Sequence, residues 1–444
     1  MPATVKELTC VAVALVGALL FGAEPAMAQS ETRARDLGVP LSGTPGPFNA
    51  ITDVEGLEVG HLTLVEGEGV RVRGEGPIRT GVTAILPRGK ADLDPVFAAW
   101  HNINGNGEIT GTAWIEDSGF LSGPMMLTNT FSVGVVRDAV IRWQEENAPD
   151  FYLGLPVVGE TSDRLLNDRS GFHVTAEHAF QAIANAASGP VEQGGVGAGT
   201  GTICHQFKGG IGSASRELPL AEGGYTVGVL VQCNYGARRH LQVAGVPVGE
   251  YVVDLMPCHD TDGRIADQEF DRCESDEPTR SGALDGAGAI HPAATAQVAP
   301  GSLSLMAREA SADEPDPGGS IIIVVATDAP LLPHQLHRVA RRTAMGLARL
   351  GGIASNASGD LAVAFSTANP GAAASEGTRT LEILSNGALN PIFEATIQAT
   401  EEAILNALVA AETMVGADHI RVHALPHDRL TEVLERYGRR AVDH

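Results

Sequence analysis

The sequence predicts a layered α/β protein in which helices cover β-sheets. Short apolar runs between glycine-rich turns indicate buried strands, and later segments have the one-sided apolar spacing of long helices. Hydrophobic residues make up 43% of the 444 residues, which is sufficient for one large core or two ordinary cores. No repeat of roughly 20–50 residues is visible, so the pattern does not indicate a solenoid.

Three apolar runs in the first part of the chain predict strands, over residues 81–87, 131–136 and 225–232. Residues 174–187 have helical spacing and predict a helix. Residues 29 to about 45 are polar and contain Pro and Gly, so we expect them to form a loose arm.

Strong secondary-structure signals return at residue 320. The predicted elements are strands over 321–325 and 361–365, and helices over 332–350, from residue 391 and over 430–438. Pro333 lies in the first turn of its helix, where a missing N–H costs nothing. Asn390 is the predicted N-cap of the second helix, whose apolar face extends to Val415.

The first 28 residues predict a cleavable signal peptide. Lys6 precedes an apolar run over residues 10–23, and residues 26–28 (AMA) form a small-x-small cleavage site. The run is shorter than the roughly 20 residues that a membrane span needs. We therefore expect a periplasmic or secreted protein that is free of the membrane after signal removal. An uncleaved anchor is the alternative.

Charge and cysteine content exclude several classes of function. The 30 Lys+Arg against 54 Asp+Glu give a net charge of −24, which argues against nucleic-acid partners. Among five cysteines there is no CxxC pair, and HExxH is also absent, so the common zinc signatures are missing. Cys233 is expected to be a buried small apolar residue.

Residues 258–319 predict an acidic insertion within a single domain that extends from residue 29 to residue 444. The stretch contains 13 Asp/Glu against four Arg and lacks a sustained apolar period. Such a composition does not build a core, so we expect a surface segment.

The start of this insertion resembles a calcium loop, with Asp260, Asp262 and Glu269 at ligand positions. Cys258 occupies the first position, where calcium prefers oxygen. A degenerate acidic loop without calcium is one alternative. A disulfide between Cys258 and Cys273 is another in an oxidising compartment.

The junction Gly318-Gly319-Ser320 is the sharpest chemical feature. Two glycines end the acidic stretch, and Ser320 begins an apolar strand. The Ser320 hydroxyl can attack the Gly319 carbonyl and convert the peptide to an ester. Hydrolysis then leaves Ser320 as an N-terminal residue whose α-amine, with a pKa near 8, can act as a base. An ordinary loop-to-strand turn is the alternative.

Several long motifs carry a resemblance to a known family. They cover residues 51–61, 101–111, 155–168, 197–216, 227–236, 319–335 and 355–369. In them the chain resembles the bacterial L-aminopeptidase/D-esterase and β-peptidyl aminopeptidase family.

The resemblance implies a four-layer αββα sandwich like that of N-terminal-nucleophile hydrolases, with different connectivity. It implies self-cleavage into an α piece (29–319) and a β piece (320–444), and assembly of these αβ units into homo-oligomers. The implied activity releases N-terminal residues, in some members β- or D-residues, from small peptides, amides or esters with a free amine. No cofactor is implied.

Site residues follow from the same resemblance. Ser320 matches the nucleophile, and Ser358 and Asp360 match a serine and an acidic residue that support it. Asn234 matches the oxyanion-hole asparagine. A Ser-Gly-Asp turn is the alternative for the pair, and a left-handed turn residue for Asn234.

Glu160 matches the acidic residue that binds the substrate ammonium group. A salt-bridged surface glutamate is the alternative. Ser162 stands where many members have tyrosine, so we expect a wider pocket.

Two other functions are compatible with these residues. An aminoacyl transferase would use the same acyl-enzyme, captured by an amine. A non-catalytic extracytoplasmic binding protein would keep the fold and remain uncleaved at Ser320.

Overall fold

Two stacked β-sheets organise this computed structural model, which describes residues 32–147, 155–260, 270–273 and 318–441. The strands are β1 (Glu58–Glu66), β2 (Ile78–Leu86), β3 (Val96–Gly105), β4 (Phe120–Leu121), β5 (Met125–Asn129), β6 (Val157–Thr161), β7 (Ile203–Cys204), β8 (Phe207–Lys208), β9 (Gly210–Glu217), β10 (Thr226–Tyr235), β11 (Cys258–His259), β12 (Gly319–Thr327), β13 (Ser358–Ser366), β14 (Met414–Val415) and β15 (Ile420–Val422). The helices are α1 (Thr112–Ser118), α2 (Val133–Asn147), α3 (Ala176–Ala184), α4 (Pro333–Ala340), α5 (Thr343–Arg349), α6 (Asn390–Val409) and α7 (His427–Arg436).

One sheet has four strands in the order β1-β2-β5-β6, and the other has six in the order β4-β3-β13-β12-β10-β9. β12 lies at the centre of the larger sheet, antiparallel to β10 and parallel to β13. The parallel pair requires a crossover, which α4 and α5 supply.

Apolar contacts divide the molecule into layers. Alternate residues of β12 point to opposite faces, so Ile322 and Val324 pack against the four-stranded sheet while Ile321 and Ile323 pack against α4 and α6. A third cluster joins the outer face of the four-stranded sheet to α2 and α3. The predicted αββα sandwich is thereby confirmed.

The strand predicted over residues 131–136 is wrong. Val133 begins α2, and Val136 and Val140 lie one turn apart against the sheet. A short apolar run does not distinguish a strand from one turn of a buried helix. The other predicted strands form β2, β10, β12 and β13, and α3 (Ala176–Ala184) lies within the helix predicted over 174–187.

Two predicted helices differ in their boundaries. The helix over 332–350 is divided into α4 and α5, where the Thr343 hydroxyl donates to the Ala340 carbonyl at 2.7 Å. Helix α6 has Leu389 rather than Asn390 at its N-cap and ends at Val409. The chain then forms β14, so Val415 does not extend the helical face.

The expected loose arm is packed where it is described. Ala34 and Val39 are buried in the core beside α6. Arg35 donates to both carboxylate oxygens of Glu402, and the buried Arg216 lies 2.7 Å from the same carboxylate. Burial alone raises the pKa of Glu402, but the hydrogen bonds and charges of the two arginines outweigh it and lower that pKa.

Cysteine pairing corrects one expectation. Cys233 is joined to Cys204 in a disulfide, rather than packing as a free thiol. Cys258 and Cys273 form the second disulfide, the alternative raised from sequence. The pairing of Cys233 connects β10 to the short β7–β8 hairpin, a partnership that sequence spacing does not reveal.

The signal peptide (1–28) and most of the acidic insertion lie outside the described residues, so these predictions stay predictions. The start of the insertion is described: β11 pairs with β15. Within the described ranges, no helix is sufficiently long and apolar to cross a membrane.

We predict that Glu402→Gln will lower the free energy of unfolding by about 3–5 kcal/mol, because the charge of the buried Arg216 loses its partner. Urea unfolding measures the change. The matched control is Glu401→Gln, whose partner Arg349 is half exposed, and we expect a loss below about 1 kcal/mol. Equal effects of the two substitutions would contradict this account.

Candidate active site

Ser320 lies at the start of β12, between the ends of two neighbouring strands. It is opposite Asn234 of β10 in one direction and Gly359 of β13 in the other. Backbone pairing therefore brings together residues that are far apart in sequence, before any side-chain contact is considered.

The backbone before Ser320 requires glycine. Gly318 has φ +66° and Gly319 has φ +128°, which residues with a side chain rarely adopt. A Cβ atom on Gly319 would lie 2.4 Å from the Asn234 carbonyl oxygen. The double glycine thus lets the chain enter the sheet close against β10.

The Ser320 hydroxyl lies against the peptide bond that precedes it. Oγ donates to the Gly319 carbonyl oxygen at 2.5 Å and accepts from the Gly359 N–H at 3.3 Å. The sequence predicted the first neighbour, and the second comes from pairing with β13. A hydroxyl in this position has the carbonyl of its own peptide within reach.

Ser358 and Asp360 form a buried pair on the adjoining strand. The Ser358 hydroxyl donates to the Asp360 carboxylate at 2.6 Å. Burial raises the pKa of Asp360 to about 6, against the opposing effect of that hydrogen bond. The pair flanks Gly359, but neither side chain is hydrogen-bonded to the Ser320 hydroxyl. The expected direct support of that hydroxyl is therefore not present in the uncleaved chain.

Asn234 belongs to β10, so the alternative of a left-handed turn residue is wrong. Its side-chain oxygen accepts from the Ile203 N–H at 2.8 Å. This hydrogen bond fixes the orientation of the amide and identifies its oxygen as the acceptor. The two hydrogens of the same amide remain as donors on the strand beside Ser320.

Glu160 is buried at the end of β6, in the other sheet. Its carboxylate accepts from the Glu108 N–H at 3.0 Å and from the Thr130 hydroxyl. Burial raises its pKa, and these two hydrogen bonds partly oppose the rise. No described residue forms an ion pair with it, so the surface salt-bridge alternative is wrong.

The loop after β3 lies between the Glu160 carboxylate and the start of β13. A Cβ atom on Gly107 would meet Gly359 at 3.1 Å and the Glu160 carboxylate at 3.5 Å. The ends of the two sheets therefore converge here.

Comparisons with known proteins agree with this arrangement. Residues 49–422 match the model of peptidase family S58. The chain belongs to that family. It is 48% identical to the β-peptidyl aminopeptidase BapA of Sphingosinicella microcystinivorans, over 96% of this chain and 97% of that protein. A second BapA, from Sphingosinicella xenopeptidilytica, is 40% identical over 97% and 98%.

Solved structures of the family have the same fold. The L-aminopeptidase D-Ala-esterase/amidase of Ochrobactrum anthropi, described as a prototype for the serine aminopeptidases and a variant of the Ntn hydrolase fold, has a TM-score of 0.75 at 40% identity. The match covers 92% of this chain and 99% of that one. The β-aminopeptidase of a Burkholderia species has a TM-score of 0.73 at 43% identity, with the same coverage. The S58 chain described here is accordingly a serine aminopeptidase.

Two further expectations concern Ser162 and the calcium loop. Ser162 is half buried just after β6, and its hydroxyl accepts from the Arg164 N–H at 3.4 Å. Its effect on pocket width stays a prediction. For the calcium loop, Asp260 is paired with Arg421 at 2.6 Å, while Asp262 and Glu269 lie outside the described residues.

One described group has the spacing of metal ligands: Cys258, Cys273 and His423. The two sulfur atoms are bonded to each other, so neither is a thiolate. This group therefore offers a metal only the histidine in the present state.

Sequence reasoning missed three contributors to the site. The Gly359 N–H contacts the nucleophile candidate, Thr130 holds Glu160, and Tyr235 lies beside Asp360. A main-chain donor has no residue signature, and Thr130 lies just before the strand predicted over 131–136, outside every motif. Tyr235 adjoins Asn234 in the motif over 227–236 and was the one signal available.

We predict that Asn234→Asp will lower kcat by about 10²–10³-fold with little change in stability. Aspartate keeps the oxygen that accepts from Ile203 but loses the amide hydrogens that would stabilise an oxyanion. Kinetics and thermal unfolding of the same preparation measure both effects. Near-normal turnover would exclude the side-chain amide as the donor.

Proposed function

We propose that the protein is a self-processing aminopeptidase whose nucleophile, Ser320, is released by cleavage of the Gly319–Ser320 bond. The observation that carries the proposal is the 2.5 Å hydrogen bond between the Ser320 hydroxyl and the Gly319 carbonyl oxygen. The positive φ at Gly319 supports it, because glycine accommodates the backbone that brings this carbonyl against the hydroxyl that follows.

Processing proceeds in two steps. Oγ adds to the Gly319 carbonyl carbon, the C–N bond breaks, and the nitrogen takes up the hydroxyl proton, which gives an ester and a free α-amine. Water then adds to the ester carbonyl, and the C–O bond to Ser320 breaks. The products are the Gly319 carboxylate and a β piece that begins at Ser320.

The position of the Ser358–Asp360 pair suits the new amine better than the hydroxyl. Ser358 is opposite Gly319, the residue whose departure exposes the Ser320 nitrogen. A carboxylate with a pKa of about 6 is ionised at neutral pH and would attract the ammonium form. We infer that the pair orients the α-amine, which then accepts the proton from Oγ during turnover.

Turnover repeats the acyl transfer on an external substrate. Oγ adds to the substrate carbonyl, and the resulting oxyanion is stabilised by the Asn234 amide together with the Gly359 N–H. The tetrahedral species collapses, the leaving amine takes a proton from the α-amine of Ser320, and water hydrolyses the acyl-enzyme. Donors on both strands beside β12 support this assignment.

Glu160 would select substrates with a free N-terminus. Its buried carboxylate has hydrogen-bond donors but no described cationic partner, so a substrate ammonium supplies the missing charge. The names of the two BapA relatives support N-terminal β-residues among the substrates.

We also infer that the mature enzyme begins near residue 29, acts in the periplasm or outside the cell, and assembles as an oligomer of αβ units. The signal-peptide pattern of residues 1–28 supports the first two statements. Two disulfides in the described chain fit an oxidising compartment. The assembly rests on the family resemblance.

We predict that the purified wild-type chain consists of two pieces separated between Gly319 and Ser320, and that Ser320→Ala remains whole and inactive. Intact mass spectrometry measures the pieces. Ser302→Ala, which changes another Gly-Ser dipeptide, serves as the control and should process normally. A whole wild-type chain that hydrolyses aminoacyl amides would reject the proposal.

For substrate selection, we predict that Glu160→Gln lowers kcat/KM for free-amine substrates by about 10–100-fold, because a charge-assisted hydrogen bond is lost. Rates on N-acetylated substrates should change little, so the ratio between the two substrate types is the measurement. Glu108→Gln is the matched control, since it removes the neighbouring charge but keeps the N–H that binds Glu160. An unaltered ratio in Glu160→Gln would remove this residue from the site.

A further inference from the structure

A cavity of about 140 Å³ lies beside the Ser358–Asp360 pair. Tyr235 lines it together with Ser358 and Asp360, and the exposed Arg239 also contributes to its wall. A single water molecule needs about 10–15 Å³ of such space, so the cavity has room for several. It is polar enough to hold water, since a phenol, a hydroxyl and a carboxylate line it.

Strand register places this cavity next to the peptide bond to be cleaved. Tyr235 of β10, Gly319 of β12 and Ser358 of β13 lie opposite one another in a single row. Gly319 is thus flanked on both sides by residues of the cavity wall.

The Tyr235 phenol is a buried donor in the wall of this cavity. Tyr235 is only 4% exposed, and its hydroxyl has no hydrogen-bond partner among the described residues. Buried hydroxyl groups are rarely left without a partner, because the loss of hydration is not compensated. Burial and then the negative charge of Asp360 raise the pKa of Tyr235, so the phenol stays protonated and can donate.

The same end of β10 contains a second buried group without a partner. The His205 ring packs edge-on against Tyr235, with 4.8 Å between the ring centres, and its Nε2 has no described partner. Burial lowers the pKa of His205 to about 4, so the ring is neutral. Its Nδ1–H donates to the Ala237 carbonyl oxygen at 3.1 Å, so Nε2 is a second buried acceptor at this end of the strand.

We propose that this cavity holds the water that hydrolyses the Gly319–Ser320 ester, and that Tyr235 positions this water by donating a hydrogen bond to it. The inference rests on the proposed self-processing. Asp360 accepts a proton as the water oxygen adds to the Gly319 carbonyl carbon. It returns that proton to the α-amine of Ser320, which protonates Oγ as the ester C–O bond breaks, and the new Gly319 carboxylic acid loses its proton to solvent.

Tyr235→Phe in the full-length chain tests this role, because it removes the hydroxyl and keeps the ring that packs against His205. We expect processing to slow by about five- to tenfold, the effect of one lost hydrogen bond. The ester should then accumulate. Hydroxylamine converts that ester to a Gly319 hydroxamate, which mass spectrometry distinguishes from the carboxylate.

Tyr225→Phe is the matched control, since it makes the same chemical change just before the other end of β10. It should process like the wild type. Ser355→Leu provides a second variant, because Ser355 also lines the cavity and a larger side chain there fills it without altering Tyr235. We expect ester accumulation there as well.

Processing of Tyr235→Phe at the wild-type rate would overturn the proposal. So would slow processing in both Tyr235→Phe and Ser355→Leu without a hydroxamate, since only ester formation would then be impaired. A wild-type chain that never cleaves would reject self-processing itself, and the wild-type sample shows that outcome separately.

Discussion

The pairing of β12 with two neighbours at once is the constraint on which the site depends. Its antiparallel register with β10 sets Asn234 opposite Ser320, and its parallel register with β13 sets Gly359 on the other side. A slip of one residue in either pair would turn every side chain of that strand to the opposite face. β12 is apolar on both faces, so its register is fixed by the close approach at Gly319, where a Cβ atom would lie 2.4 Å from the Asn234 carbonyl oxygen.

The layers around β12 convert this register into a rigid frame. Helices α4 and α6 cover one face of the central sheet, and the four-stranded sheet covers the other. The buried Arg216–Glu402 pair connects β9 with α6, and Arg35 ties the N-terminal segment to the same carboxylate. Packing of this kind fixes backbone donors such as the Gly359 N–H before a substrate arrives, which is the condition for electrostatic stabilisation of a transition state.

Burial raises the pKa of both site carboxyl groups, Glu160 and Asp360, but their surroundings differ. Glu160 accepts from the Thr130 hydroxyl and the Glu108 N–H and has no described cationic partner, whereas Asp360 accepts from the Ser358 hydroxyl. A positive charge that approaches either carboxyl group lowers its pKa and favours the ionised form. In the proposed mechanism, Glu160 receives that charge from the substrate ammonium and Asp360 from the new N-terminus of Ser320.

Local sequence patterns determined the strands around the nucleophile and the glycine requirement before Ser320. The family resemblance identified the residues that meet there. Apolar runs and a double glycine are local signals, so they can be recognised without knowing the fold. The same signals failed for residues 131–136, where packing against the sheet selects a helix. Tertiary structure alone decided the Cys204–Cys233 pairing, the Gly359 N–H donor and the cavity beside Tyr235. Each joins segments distant in sequence, and only the stacking and register of strands determine which distant residues become neighbours.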